Sequence, residues 1–569
     1  MSLIALLNLI KYLNNTQIKK KMNFKSTVIT AMCCFFSFAV LASEKLEKPK
    51  LVVGLVVDQM RWDYLYRYYD RYSENGFKRL LNEGFSSENT LIDYVPTYTA
   101  IGHSTIYTGS VPAINGIAGN DFIIQATGQN MYCTQDDSVQ AVGGEGKVGQ
   151  QSPKNLLVST ITDQLKLATN FQSKVIGIAI KDRGGILPAG HFANAAYWLD
   201  GKTGDWITST YYMKDLPKWV KGFNKEKVVD QYYKQGWKTL YPIDTYVLST
   251  ADDNLYEETF KGEKTPTFPR DLVKLKKENG YELIKSTPQG NTLTLDFAKR
   301  AIENEQLGNN PLQVTDFLAV SLSSTDYIGH QFAINSIEIE DTYLRLDRDI
   351  ADFLAYLDQN IGKGNYTLFL SADHGAAHNP KFFADQKGNS GYFDTKAIRK
   401  DLNEKLASKF GVADLVKSLA NYQVHLNYEV IEANDVEEDE VIAAAIKLLK
   451  KVDGVAFVVD MNEAAESSVP QILRERIING YNFKRSGAIQ LILEPQWFSG
   501  SKDGKGTTHG SWNSYDAHIP AVFLGWGVKP GKTTRQTHMT DIAPTIAQIL
   551  KIEFPNGNIG TPIQEAIEQ

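Results

Sequence analysis

Seven consecutive residues, Leu51-Val52-Val53-Gly54-Leu55-Val56-Val57, contain no polar side chain, and Asp58 follows directly. A run that short and that uniformly apolar reads as a strand buried on both faces. A helix-like pattern over 64–81 comes next, and the same kind of apolar run recurs at 175–180, 317–322, 366–370 and 521–524, with a second helical pattern over 337–357. Strands alternating with helices predict an α/β fold, a three-layer sandwich with a mostly parallel central sheet flanked by helices. Sites in such sheets lie beyond the carboxyl ends of the strands, so the residues just after each run are the ones to inspect. Two stretches, about 198–291 and 385–495, lack this alternation; the first is rich in Tyr, Trp, Lys and Gly, the second carries helical patterns of its own. Both are expected to be insertions capping the core. There is no internal repeat or low-complexity linker.

The 569 residues carry a formal net charge of −6. This gives no basic footprint for nucleic acid or for an anionic membrane surface. Lys19, Lys20 and Lys21 precede Met22, and an apolar stretch over 28–41 ends at Ala42. Residues 1–42 are therefore expected to be a signal peptide preceded by extra residues, with Met22 as an alternative start and export to a periplasm as the consequence. Cys33 and Cys34 would leave with that segment, and Met32 is too bulky for a lipoprotein cleavage site. The catalytic domain would span 43–569, with no membrane contact after cleavage and a monomer as the expected state. Cys133 would be its only cysteine, so no intrachain disulfide is possible.

The residues after the strands are rich in metal-binding types. Asp58 ends the first run; Asp326 and His330 stand four apart after the third, a spacing that brings two ligands together across one turn. Asp373-His374-Gly375 follows the run at 366–370, and His509 sits in the small-residue segment Gly506-Thr507-Thr508-His509-Gly510-Ser511. Each fragment alone has a plain structural explanation, as a helix cap or a turn. Together, three Asp and three His supply two zinc sites with three protein ligands each, leaving positions open for substrate or water. Two such ions clamp the attacking and leaving oxygens of a phosphoryl transfer. Among the other histidines, His518, just before the run at 521–524, is the alternative to His509 as a ligand; His103, His191, His378, His425 and His538 are read as core, cap or surface residues.

Thr97-Tyr98-Thr99-Ala100 opens a predicted helix after Pro96. A hydroxyl there meets unpaired N–H groups and the positive end of the helix dipole, both of which favour a bound phosphate, so Thr99 is a candidate nucleophile. Simple N-capping is the competing explanation. Asn120, in Gly119-Asn120-Asp121, offers an amide donor to a phosphate oxygen. Lys181 and Arg183 follow the run at 175–180; in extended backbone, residues two apart face the same way and hold anionic oxygens jointly.

In order and type, Asp58, Thr99, Asn120, Lys181, Arg183, Asp326, His330, Asp373, His374 and His509 resemble the alkaline phosphatase superfamily. The segments at 108–121 and 506–511 are closest to the phosphate-irrepressible bacterial branch that uses a threonine nucleophile. The resemblance covers about 51–550. It implies a two-zinc hydrolase, with Asp326, His330 and His509 on one ion and Asp58, Asp373 and His374 on the other. It also implies that Thr99 bridges to the second ion and becomes a phosphothreonine, with Asn120, Lys181 and Arg183 on the phosphate oxygens. The expected substrates are small phosphate monoesters of broad range.

Two rivals follow from the same residues. A phosphodiesterase or nucleotide pyrophosphatase of the superfamily would offer an apolar pocket for a second substituent, whereas a cation pair beside the phosphate favours the more charged monoester. A non-catalytic binding protein on the same fold would not need the complete ligand set. A sulfatase is disfavoured because the nucleophile segment has no Cys/Ser-x-Pro-x-Arg pattern.

Overall fold

The structure, a computed structural model, describes residues 48–500 and 504–568. The predicted signal segment lies outside the described residues. The uniformly apolar run forms β1 (Leu51–Val57), every residue of it buried. Along the chain follow β2 (Phe85–Leu91), α1 (Thr99–Thr108), the hairpin β3 (Asp121–Ile124) and β4 (Gln129–Tyr132), then β5 (Val175–Ala179) and α2 (Asp182–Ala189). Next come β6 (Ala195–Asp200), β7 (Asp205–Ser209), β8 (Asp316–Leu322), α3 (Ser324–Phe332), α4 (Ile337–Leu357) and β9 (Tyr366–Ser371). The remaining elements used below are β10 (Val416–Ala420), β11 (Gln423–Leu426), β12 (Val455–Asp460), β13 (Ile489–Leu493) and β14 (His518–Gly525).

The central sheet runs β2-β14-β9-β1-β8-β5-β6-β7, with short strands completing both edges. Its middle, β9-β1-β8-β5-β6, is parallel, with Leu51 level with Tyr366 on one side and Asp316 on the other. Towards the edges β14, β2 and β7 run antiparallel to their inner neighbours, so the sheet is mixed. Helix α1 crosses β1 closely at Gly54, where a Cβ would lie 2.2 Å from the Tyr107 hydroxyl and 2.6 Å from Phe369. Only glycine permits that approach.

The helix-like stretch at 64–81 is broken into Tyr64–Arg67, Tyr69–Arg71 and Phe77–Glu83. The break has a local cause. The Asp347 carboxylate accepts hydrogen bonds from the backbone N–H groups of Ser73 and Phe77, and Gly76 packs against it. The aromatic-rich stretch beginning at Trp198 contributes β7 and the second half of β6 to the central sheet before leaving it. Within 385–495 a separate antiparallel sheet, β10-β11-β13-β12, covers its own apolar cluster around Val424, Ile442 and Ile489. The described residues from Pro49 onward nonetheless form one compact unit. Among the described residues no helix is long and apolar enough to cross a membrane.

Candidate metal centre and phosphate site

The carboxyl ends of the parallel strands deliver the polar groups to one place. Asp58 follows β1, Lys181 follows β5, Asp326 lies on α3 just after β8, and Asp373 follows β9. Asp326 and His330, one turn apart on α3, bring Oδ1 and Nε2 to 3.1 Å. His509 arrives from the glycine-rich loop, its Nε2 3.7 Å from the same Asp326 oxygen. On the other side His374 Nε2 is 3.7 Å from Asp58 Oδ1 and 3.3 Å from Asp373 Oδ2. All six predicted ligands are thus in one cluster, and all but half-buried His330 are buried.

Two triplets have ligand atoms within 4.8 Å of one another: Asp326, His330 and His509, and Asp58, Asp326 and His374. The first triplet coincides with one predicted set; in the second, Asp326 stands where the resemblance implies Asp373. Asp373 Oδ1 is occupied by the N–H groups of Gln59 and His374. Its Oδ2 makes no hydrogen bond, and neither does Asp58 Oδ1. Buried carboxylate oxygens without partners are costly, and a bound cation satisfies them.

The protonation states fit that demand. Burial and the neighbouring Asp373 push the Asp58 carboxyl well above the usual range. Asp326 goes the other way: against burial, His330 and Lys181 hold it well below. His374 and His509 are driven down by burial and stay neutral, as metal-binding imidazoles must. Their Nδ1 atoms face the carbonyls of Gly375 and Thr97, at 3.0 and 2.6 Å, which leaves Nε2 for the cluster. The Lys181 ammonium sits between two carboxylates, 2.7 Å from Asp58 Oδ2 and 2.5 Å from Asp326 Oδ2. Positive charge is what this cluster lacks, and the residues present fit divalent metal.

Thr99 is the first residue of α1. Tyr98, not Thr99, occupies the cap position, and no side chain caps it. The buried Thr99 hydroxyl is therefore free for the cluster and lies 3.4 Å from His374 Nε2. Asn120 accepts the Ala100 N–H through Oδ1 at 2.9 Å, which leaves its NH2 group as the donor end. Lys181 and Arg183 do not share an extended segment. Lys181 caps α2 and Arg183 lies in its first turn, and both neighbour Tyr327. Arg183 donates to the Tyr132 hydroxyl at 3.0 Å while its buried Nε has no partner, and against desolvation the neighbouring Tyr132, Tyr327 and Asp182 hold its guanidinium well above the ordinary range.

Three contributors were not legible beforehand. Gln59, with φ 64°, donates its side-chain amide to Asp326 Oδ1 at 2.6 Å and its N–H to Asp373 at 3.1 Å. His103, buried on α1, spans the Thr99 carbonyl and Ser321 Oγ and lies 3.4 Å from Asp373. Tyr132 donates to Asp182 Oδ1 and accepts from Arg183. The position of Gln59 next to Asp58 was the one available signal. His518 is accounted for elsewhere: it stacks on Trp62 at 4.6 Å and meets the Glu88 carbonyl.

Over residues 52–516 the sequence matches the family described as type I phosphodiesterase / nucleotide pyrophosphatase. The alkaline phosphatase PafA of Elizabethkingia meningoseptica is 53% identical over 521 residues, covering 91% of this chain and 95% of that protein. Alkaline phosphatase PhoV of Synechococcus elongatus is 52% identical over 525 residues, covering 92% and 94%. The crystal structure of wild-type PafA superposes with a TM-score of 0.90 over 92% of this chain and all of that one. The chain belongs to the type I phosphodiesterase / nucleotide pyrophosphatase family, within the alkaline phosphatase superfamily.

Proposed function

We propose that this protein hydrolyses phosphate monoesters through a covalent phosphothreonine on Thr99, and that it does so as an exported, monomeric two-zinc enzyme of broad substrate range. The chain is an alkaline-phosphatase-type hydrolase by its identity to PafA and PhoV. The observation that carries the finer reading is the buried Thr99 hydroxyl at the uncapped start of α1, 3.4 Å from Nε2 of His374, itself part of the Asp and His cluster.

Asp326, His330 and His509 would hold one metal ion, and Asp58, Asp373 and His374 the other, with Asp326 near both. Bound there, divalent metal supplies Lewis-acid charge to the attacking and leaving oxygens. The chain's own groups do the rest. The N-terminus of α1 and the Asn120 amide donate to phosphate oxygens, and Lys181 and Arg183 offset their charge. Thr99 Oγ bonds to phosphorus as the bond to the departing alcohol oxygen breaks. Water then displaces Thr99 from phosphorus and releases phosphate.

The second reading, a phosphodiesterase, is favoured by the family's description. Buried Lys181 and half-buried Arg183 beside the phosphate site favour the monoester, which carries one more negative charge. Rates on a nitrophenyl monoester and a bis-nitrophenyl diester separate the two. Faster turnover of the diester overturns our assignment.

A further inference from the structure

The two-residue turn between β10 and β11, Asn421-Tyr422, has φ angles of 56° and 55°. A two-residue hairpin turn with both central φ positive is of the mirror-image type that normally places glycine second. Here a tyrosine stands there, and a bulky residue in left-handed backbone is held only where its surroundings demand it. The back of the turn is fastened: the Tyr422 carbonyl accepts from Leu491 N–H at 2.8 Å and Gln490 Nε2 at 3.0 Å, and its hydroxyl accepts from Ser499 N–H.

The front of the turn faces the site. Asn421 Nδ2 donates to the Asp121 carbonyl at 2.8 Å, one residue beyond Asn120. A Cβ on Gly119 would lie 2.4 Å from that same nitrogen, so the glycine is what lets Asn421 in. The Tyr422 ring lies against Gly510, beside His509 and Tyr98, where a Cβ would come within 2.9 Å of it. One strained turn from the separate sheet therefore touches both the Asn120 loop and the His509 loop. The Asn120 backbone is fixed on its other side by Cys133 N–H, 2.9 Å from the Asn120 carbonyl.

We infer that Asn421 is a positioning residue: its amide fixes the loop at 119–121 so that the Asn120 NH2 group is aimed at the bound phosphate. The inference rests on the reading of Asn120 as a phosphate contact. The test is a double-mutant cycle on the full-length, metal-replete enzyme, using Asn421→Gly, which keeps the turn conformation and deletes only the donor, with Asn120→Ala. In the wild-type background Asn421→Gly is expected to lower kcat/KM for nitrophenyl phosphate about tenfold and to weaken inhibition by inorganic phosphate by a similar factor, the scale of one hydrogen bond to a charged group. In the Asn120→Ala background both changes are expected to shrink below about twofold, with metal content the same in all four proteins. Equal losses in both backgrounds, or no loss in either, overturn the positioning role. A silent Asn120→Ala overturns the underlying reading of Asn120, and this role with it.

Discussion

The imidazoles of His374 and His509 stack face to face, ring centroids 3.5 Å apart and planes 14° from parallel. One ring comes from the end of β9, the other from a loop far along the chain, and each faces a backbone carbonyl with Nδ1 and the cluster with Nε2. The pair joins the Asp58 side of the cluster to the His330 side. Two stacked imidazolium ions would repel in a buried site, so the arrangement is stable with both rings neutral and their lone pairs available.

Metal content follows from that pair. Purified enzyme is expected to hold two divalent ions per chain, zinc first among them, and chelation is expected to abolish hydrolysis. Either His374→Ala or His509→Ala should remove at least one ion and lower kcat/KM by roughly a thousandfold, the scale of a several-kcal/mol Lewis-acid contribution. Elemental analysis alongside activity decides this. A variant that keeps both ions and its rate would refute the ligand assignment.

Thr99→Ala should reduce hydrolysis by a factor on the order of 10⁴ or more, as loss of a nucleophile does. Thr99→Ser keeps a hydroxyl at the same helix end and should retain a measurable fraction of the rate. Acid quenching during turnover, followed by mass spectrometry, should find phosphate on the peptide containing Thr99. An unmodified peptide, with Thr99→Ala still active, sinks the covalent mechanism.

The candidate ligands were readable because they sit where uniformly buried strands end, at Asp58, Asp326 and Asp373, and a carboxylate in that place needs a reason. Other features depend on contacts between distant segments and leave no mark in local sequence. Gln59 matters through its left-handed backbone and its reach to α3. Asn421 matters because a separate sheet folds over the loop at 119–121. The pairing of Lys181 with Arg183 assumed extended backbone, but only Ile180 and Lys181 separate the end of β5 from the start of α2, so period-two reasoning does not apply there. The antiparallel outer strands were equally hidden, since an apolar run such as that at 521–524 does not disclose its direction.

Lys181 lies between two carboxylates of the cluster, so its removal tests charge rather than shape. Lys181→Ala is expected to lower monoester kcat/KM by about a hundredfold, the value of a charge-assisted hydrogen bond in a buried site. Diester hydrolysis, with one negative charge fewer to offset, should fall by less than about tenfold. Equal losses on the two substrates mean that the lysine only supports the carboxylates.

Away from the site, Arg270 is buried among Trp237, Phe260, Phe268 and Phe332 and pairs with Glu338 at 2.5 Å and Glu263 at 3.2 Å. Glu257 is buried nearby, accepts from Asn254 Nδ2, and leaves Oε2 without a partner. Burial first, then the neighbouring Glu338, pushes Glu257 up to about 9, and burial pushes Glu338 up to about 7. Both folded values lie above the ordinary 4.5, so the folded state holds these protons more tightly than the unfolded chain. The stability they contribute is complete below about pH 4.5 and is lost as pH rises through about 7 and then about 9. Glu257→Gln removes the higher of the two titrations while keeping the shape. Thermal unfolding followed from about pH 5 to about pH 9 should therefore show a shallower decline in Tm for the variant than for the parent, most clearly in the upper half of that range. A variant whose Tm falls as steeply as the parent's places the alkaline loss of stability elsewhere in the molecule.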